Sequence, residues 1–180
     1  MKYISLLRGI NVSGQKKIKM SDLKLLYELL GFQNVVTYIQ SGNVIFDSSN
    51  KNKVDLKEKI EKAISKKFKF NVPVEIRTKS EIMNIIKSCP FGSVDLKEDG
   101  TKILVTFMSS APLKSSVDEV QRCAAASEKF VLKGKEIYLY CPNGYGKSKL
   151  SNTFLEKKLS VKATTRNWKS IHKFCELFTE

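Results

Sequence analysis

A chain of 180 residues is long enough for one domain with a sizeable core or for two small ones. Its hydrophobic share of 42% and charged share of 28% are those of an ordinary globular protein, and no apolar run reaches the roughly 18 residues of a membrane span. The formal net charge of +14, from 28 Lys and 4 Arg against 18 acids, favours acidic partners such as nucleic acid or phosphorylated metabolites.

In chain order, Tyr3 to Leu7 reads as a strand and leads into the loop LRGINVSG. The stretch MSDLKLLYELLGF places Leu23, Leu26, Tyr27 and Leu30 at helical spacing, with Gly31 as the C-cap. The β-rich runs VVTYI and NVIFD are separated by Gln40, Ser41 and Gly42, a hairpin signal. A helix from about Val54 to Lys67 buries Leu56, Ile60, Ala63 and Ile64 beneath a Lys-studded face, and VPVEIRT follows as a strand.

A short helix, SEIMNIIKSC, runs into PFGSVDLKEDG, whose Pro, Gly and acids mark a linker. The order then recurs: strand KILVTF, helix VDEVQRCAAA, hairpin KFVLKGKEIYLY turning at Lys133–Gly134, helix KSKLSNTFLEKKL and strand VKATT. The last helix, RNWKSIHKFCELF, sets Trp168, Ile171, Cys175 and Phe178 on one face, with Thr164 or Thr165 as N-cap and Arg166 in the first turn. Two βαββαβ units predict an α+β protein of two tandem ferredoxin-like subdomains with antiparallel sheets, 1–78 and 101–180, joined by a short helix and linker over 79–100. The repeat is one of element order; no strong residue-by-residue repeat accompanies it.

In that topology the loop after the first strand and the hairpin between the second and third lie at the same sheet end. Arg8, Gly9, Asn11 and Ser13 therefore meet Gln40, Ser41 and Asn43. Arginine offers a planar fork of donors to carboxylate or phosphate, and a Gly-rich turn exposes backbone N–H groups. The plain structural alternative is that the glycines shape turns while the polar side chains cap backbone groups. In CPNGYGKSKL the place of the first Walker A glycine holds Cys141, which argues against a P-loop enzyme and leaves Lys147 and Ser148 as candidate phosphate contacts. Arg166 opposes the macrodipole at the start of a helix, and it and Asn167 are candidate anion contacts whose joining the Arg8 site depends on how the two repeats dock. Tyr138 and Tyr140 alternate onto one strand face, fit either to stack bases or to pack, yet Lys135 and Ile137 stand where an RNA-recognition signature has aromatics.

Catalytic signals are thin. His172 has no acidic partner in sequence, Asp47 merely closes a strand, and neither GxSxG nor HExxH occurs. Cys89, Cys123, Cys141 and Cys175 are too far apart for a zinc site or a disulfide framework and read as buried free thiols. No metal, cofactor or membrane partner is expected, and the start MKYISLLRGI lacks a signal peptide's features, so the expected setting is cytoplasmic.

The blocks LRGINVSG, KIKMSDL, LGF, VVTYIQSGNVIF and ATTRNWKSIHKF closely resemble the bacterial domain-of-unknown-function family 1697 across essentially the whole chain. The resemblance implies small cytosolic α+β proteins with no established activity. It points to Arg8, Gly9, Asn11, Gln40, Ser41, Gly42, Asn43, Thr165, Arg166, Asn167 and Trp168. The leading functional expectation is binding of a phosphate-bearing ligand, RNA or DNA first. The alternatives are a small enzyme on a phosphorylated or carboxylated metabolite, with Arg8 and Arg166 as clamps, and a protein-interaction module.

Overall fold

The computed structural model describes residues 1–179. The first half runs β1 (Lys2–Leu7), α1 (Met20–Leu29), β2 (Gln33–Tyr38), β3 (Asn43–Asp47), α2 (Lys53–Phe68) and β4 (Val74–Thr78). Helix α3 (Lys79–Lys87) leads to β5 (Ile103–Met108), α4 (Lys114–Gln121), β6 (Lys129–Lys133), β7 (Glu136–Tyr140), α5 (Asn152–Leu159), β8 (Ala163–Asn167) and α6 (Trp168–Leu177). Two four-stranded antiparallel sheets result, ordered β2-β3-β1-β4 and β6-β7-β5-β8, the two ferredoxin-like arrangements that the element order predicts. The chain forms two compact units, Met1–Asn84 with the residues from Phe174 on, and Ile85–Lys173. Helix α3 thus begins in the first unit and ends in the second, and α6 does the reverse.

Each core follows from strand alternation against helical periodicity. In the first unit Tyr3, Leu7, Val44, Phe46, Val74 and Ile76 point from the sheet onto Leu23, Tyr27, Leu56, Ile60 and Ile64 of the helices. Tyr3, Tyr27, Phe32 and Phe46 form its aromatic centre, with centroid distances from 4.5 to 5.8 Å. In the second unit Leu104, Met108, Ile137, Leu139 and Ala163 meet Val117, Val120, Leu155 and Leu159. Ile4, Leu6 and Ile45, on the other face of the first sheet, are buried as well, which is why apolar residues stand at both parities of β1. Among the described residues no helix is long and apolar enough to cross a membrane.

Several boundaries differ from the sequence expectation for local chemical reasons. Helix α4 stops at Gln121, because Cys123 to Ala126 are taken into a turn where Ala125 N donates to the Glu128 carboxylate and Glu128 N to Ala125 O. Helix α5 starts at Asn152, not near Lys147: the Ser151 hydroxyl accepts from Phe154 N, and Tyr145–Lys147 is a single 3-10 turn. Lys133 pairs with Glu136, so the hairpin turns at Gly134–Lys135. Strand β8 stays paired with β5 as far as Asn167, whose side-chain oxygen accepts from Ser170 N and caps α6. Arg166 is consequently a strand residue, and neither Thr164 nor Thr165 is the cap.

That register uncovers a residue-level echo. Arg77 sits opposite Ile4 in the first sheet and Arg166 opposite Val105 in the second, each buried one residue before a helix cap. Each also donates to the carbonyl of the residue before it, Ile76 O at 3.0 Å and Thr165 O at 2.9 Å. Thr78, the counterpart of Asn167, forms a reciprocal cap with Glu81: Glu81 N donates to Thr78 Oγ1 at 3.2 Å, and Thr78 N to Glu81 Oε2 at 2.8 Å.

Lys53 Nζ lies 2.6 Å from Glu81 Oε1. Burial raises the Glu81 pKa, but the hydrogen bonds from Lys53 and Thr78 outweigh it and hold the carboxyl below its ordinary 4.5. A carboxyl lowered in the folded state contributes stability that is complete above its unfolded value and lost as pH falls through the folded one. Glu81→Gln is therefore expected to cost about 0.5–1 kcal/mol at neutral pH, as partly exposed caps and pairs do. Thermal melts between pH 3 and 7 should show that gap to wild type closing below the ordinary value of 4.5.

Candidate functional site

Strands β1 and β3 are antiparallel neighbours, so the end of one meets the start of the other: Leu6 pairs with Asn43, and Leu7 N donates to Gly42 O at 2.8 Å. The loops LRGINVSG and QSGN are therefore in contact, as the topology requires. Asn11 fastens them. Its Nδ2 donates to Gln40 O at 2.8 Å and to Ile18 O at 2.9 Å, while its Oδ1 accepts from Ile18 N at 2.8 Å. Asn43, buried, donates from Nδ2 to Tyr38 O and Ser41 Oγ, both at 3.0 Å. Asn11, Ser41 and Asn43 thus hold the two loops in shape.

Gly42 is required by space as well as by backbone. At φ +75° its added Cβ would stand 2.6 Å from Ile10 Cδ1 and 2.8 Å from Leu7 Cβ. Gly9, also left-handed at φ +71°, faces open space. Ser13 and the Gln40 side chain are exposed, and Arg8 is half-buried, its backbone N–H donating to Pro73 O at 2.9 Å.

Lysines complete this end of the sheet, and sequence reasoning passed over them. Lys16 Nζ donates to Asn71 O at 2.7 Å, while Lys17 and Lys19 are exposed on either side of buried Ile18, whose backbone Asn11 grips. Segments 8–19, 39–42 and 69–73 contain no Asp or Glu. Glu61, which reaches this region from α2, spends an oxygen on Val74 N at 2.8 Å. The available signal was local: KKIK in a loop has no helical face to solvate.

In the second unit the candidate residues mostly serve the fold. Arg166 NH1 donates to Thr164 Oγ1 at 2.8 Å, Asn167 caps α6, and Trp168 is buried. Thr165 Oγ1 meets Thr106 Oγ1 and Asn152 Oδ1 at 2.7 Å and the Tyr145 hydroxyl at 3.2 Å, tying β8 to the loop before α5. Lys147 is exposed; Ser148 Oγ accepts from Leu150 N at 3.1 Å. Since α5 begins at Asn152, neither of them stands at a helix N-terminus. Tyr138 is buried with its hydroxyl donating to Ile85 O at 3.0 Å, and Tyr140 lies against Phe91, so the first is a core residue and not a base platform. Asp47 accepts from Asn34 Nδ2, and the His172 ring packs on the edge of Trp168 at 5.3 Å. Of the four thiols only Cys141 is fully buried; burial, with Glu128 adding to it, pushes its pKa up to about 11, which leaves it unreactive.

The family model described as "Protein of unknown function (DUF1697)" matches residues 1–138. Among solved structures, the conserved bacterial protein SP0830 from Streptococcus pneumoniae is similar, with a TM-score of 0.77 and 22% sequence identity over 98% of this chain and 97% of that chain. At that identity the likeness speaks for the fold. None of the curated proteins matches.

Substitutions should separate the side chains that build the loops from those they present. Asn11→Ala, which strands two backbone groups of Ile18, is expected to cost about 1–3 kcal/mol. Gly42→Ala meets both left-handed strain and overpacking, and about 2 kcal/mol or more is expected. Ser13→Ala should stay within about 0.5 kcal/mol. Urea denaturation midpoints of the three variants check the ranking.

Proposed function

We propose that this chain, which belongs to the DUF1697 family of proteins of unknown function, binds a phosphate-bearing ligand at the loop end of its first sheet, with nucleic acid as the first such ligand. One observation carries the reading. The connection from β5 to α4 in the second unit takes five residues, 109–113, whereas the equivalent connection from β1 to α1 takes twelve, 8–19. The fold needs only the shorter one. The added length brings Lys16, Lys17 and Lys19 and no acid, and Arg8 stands at its start.

The two connections are equivalent in detail. Met108 N donates to Lys135 O at 2.9 Å as Leu7 N does to Gly42 O, and Ser109 N donates to Lys162 O at 3.0 Å as Arg8 N does to Pro73 O. Arg8 thus occupies a position that is serine in the other repeat. Cations gathered on segments that carry no carboxylate create a local positive potential, which attracts phosphate and hastens its encounter. The first ninety residues carry 17 basic and 8 acidic side chains, so the wider surface reinforces the loop. A nucleic acid, with its row of phosphates, engages such a surface better than a single anion does. A cytoplasmic setting goes with this reading, four free cysteines suiting a reducing compartment. The enzyme alternative asks Arg166 to serve as a second clamp, and Arg166 is buried against Thr164 and Thr165.

Fluorescence anisotropy with labelled single-stranded RNA and duplex DNA over a salt series tests the proposal. Log affinity is expected to fall linearly with log salt. Arg8→Ala and Lys17→Ala are each expected to weaken binding and to flatten the slope by about 0.7–0.9, one phosphate contact apiece. No binding at low salt, or an Arg8→Ala variant that binds as the wild type does, would overturn it.

A further inference from the structure

The cation-bearing loops also hold two aliphatic side chains out in water. Val12, next to the Asn11 clamp, is 59% exposed, and Ile39, next to Gln40, is 48% exposed. The Asn11–Gln40 hydrogen bond fixes these two residues at one sheet end. Ile39 is in an unusual state for a β-branched residue, with φ at +49°. Both of its neighbours are pinned, Tyr38 O accepting from Asn43 Nδ2 and Gln40 O from Asn11 Nδ2, so the surrounding side chains impose that backbone on it. A branched aliphatic chain is thereby fixed in a strained conformation that leaves it in solvent, on a loop bonded to the one that carries Arg8, Lys17 and Lys19. An observed outlier of this kind is a reason to look for function.

We infer that the loop end takes nucleic acid as an unpaired strand, with Val12 and Ile39 against base faces and the cations on the phosphates. The inference rests on the phosphate-binding reading above and narrows its ligand. Inorganic phosphate or a lone anion would use only the cations and would leave both aliphatic chains wet. A duplex presents phosphates too, but its base faces are closed, and opening a step costs more than two half-exposed aliphatic side chains return on burial. An unpaired strand offers a charged backbone and an accessible π-face together. The charges match: the segments that meet here are free of Asp and Glu, so a polyanion approaches without facing a carboxylate from them.

The test uses the full chain, a labelled 20-nucleotide single strand, the same sequence as duplex, a polyphosphate competitor, and vesicles of phosphatidylserine in phosphatidylcholine. Val12→Ser and Ile39→Asn are the probes, asparagine being at ease in the left-handed conformation. Wild type is expected to bind the single strand more tightly than the duplex. Each substitution should weaken single-strand binding roughly five- to tenfold, with the salt slope unchanged because no phosphate contact is lost. Aliphatic variants that bind the single strand as tightly as wild type, or a duplex bound equally well, would overturn this inference. In that case salt-dependent binding that Arg8→Ala still weakens would leave the phosphate reading standing. Vesicle binding abolished by Ile39→Asn, without oligonucleotide binding, would overturn it in favour of a lipid surface. Binding of no polyanion at all would remove both readings.

Discussion

The carboxamide of Asn11 stands where a twelve-residue loop must fold back on itself, and most of what is distinctive about this end of the molecule traces to its hydrogen bonds. It treats Ile18 as a strand partner would, taking its N–H and giving to its carbonyl, and gives its remaining hydrogen to Gln40 O. Few side chains are suited to that task. Aspartate lacks the donors and glutamine places the amide one methylene further out, while asparagine also tolerates the left-handed backbone it adopts here at φ +55°. With Ile18 gripped, its side chain is buried and Lys17 and Lys19 are turned outward on either side. The outward display of Lys17 and Lys19 thus follows from one amide.

Comparison of the two units separates what the fold requires from what has been added. Arg77 and Arg166, Thr78 and Asn167, and Ser5 and Thr106 occupy matching strand positions, and their polar atoms are turned to the same kinds of task. Ser5 meets the buried Tyr27 hydroxyl at 2.7 Å, where Thr106 meets Thr165. Burial holds the Tyr27 hydroxyl above its ordinary pKa, and the bond to Ser5 pulls the other way, keeping a neutral polar pair inside the core. At the loop ends the match breaks. The first hairpin turn spans four residues, 39–42, and the second spans two; the first connection to a helix spans twelve and the second five. Both elaborations are at the same end of the same sheet, and loop growth without structural need is where binding surfaces commonly arise.

The sequence spoke clearly where one local pattern decides the outcome. Helix α2 is readable because Leu56, Ile60 and Ile64 recur at helical spacing with asparagine at the cap, and β1 because Tyr3, Ile4, Leu6 and Leu7 crowd into five consecutive positions. It spoke poorly where tertiary partners decide. Nothing local says that β8 stays paired through Arg166 to Asn167, so the motif TTRNW looks like a helix start when only its last step is one. The meeting of the two loops followed from topology, yet the task of Asn11 did not, since its three partners are up to twenty-nine residues away. Lys16, Lys17 and Lys19 were hidden by number, three among 28 lysines until the fold brought the acid-free segments 8–19, 39–42 and 69–73 to one end of the sheet.

The loop is built before any ligand arrives, and this bears on the binding proposed for it. Asn11 and Ser13, between Gly9 and Gly14, and Lys16, just beyond them, all adopt left-handed backbone. Each non-glycine residue in that region costs about 1–2 kcal/mol relative to its relaxed state. Such a run persists only where surrounding bonds over-determine it, and here Asn11, the contact of Gln15 N with Val12 O, and the Lys16–Asn71 link do so. The backbone entropy of ordering the loop is accordingly lost on folding and not on binding. On the proposed reading a polyanion would still have to order Lys17 and Lys19, whose exposed side chains are flexible enough to follow a phosphate row of variable shape. A rigid frame bearing such cations would give up sharp geometric selection of one small anion. It would keep affinity for a polymer whose charges repeat but whose path varies, a trade that accords with cations spread along the loop instead of converging on one point.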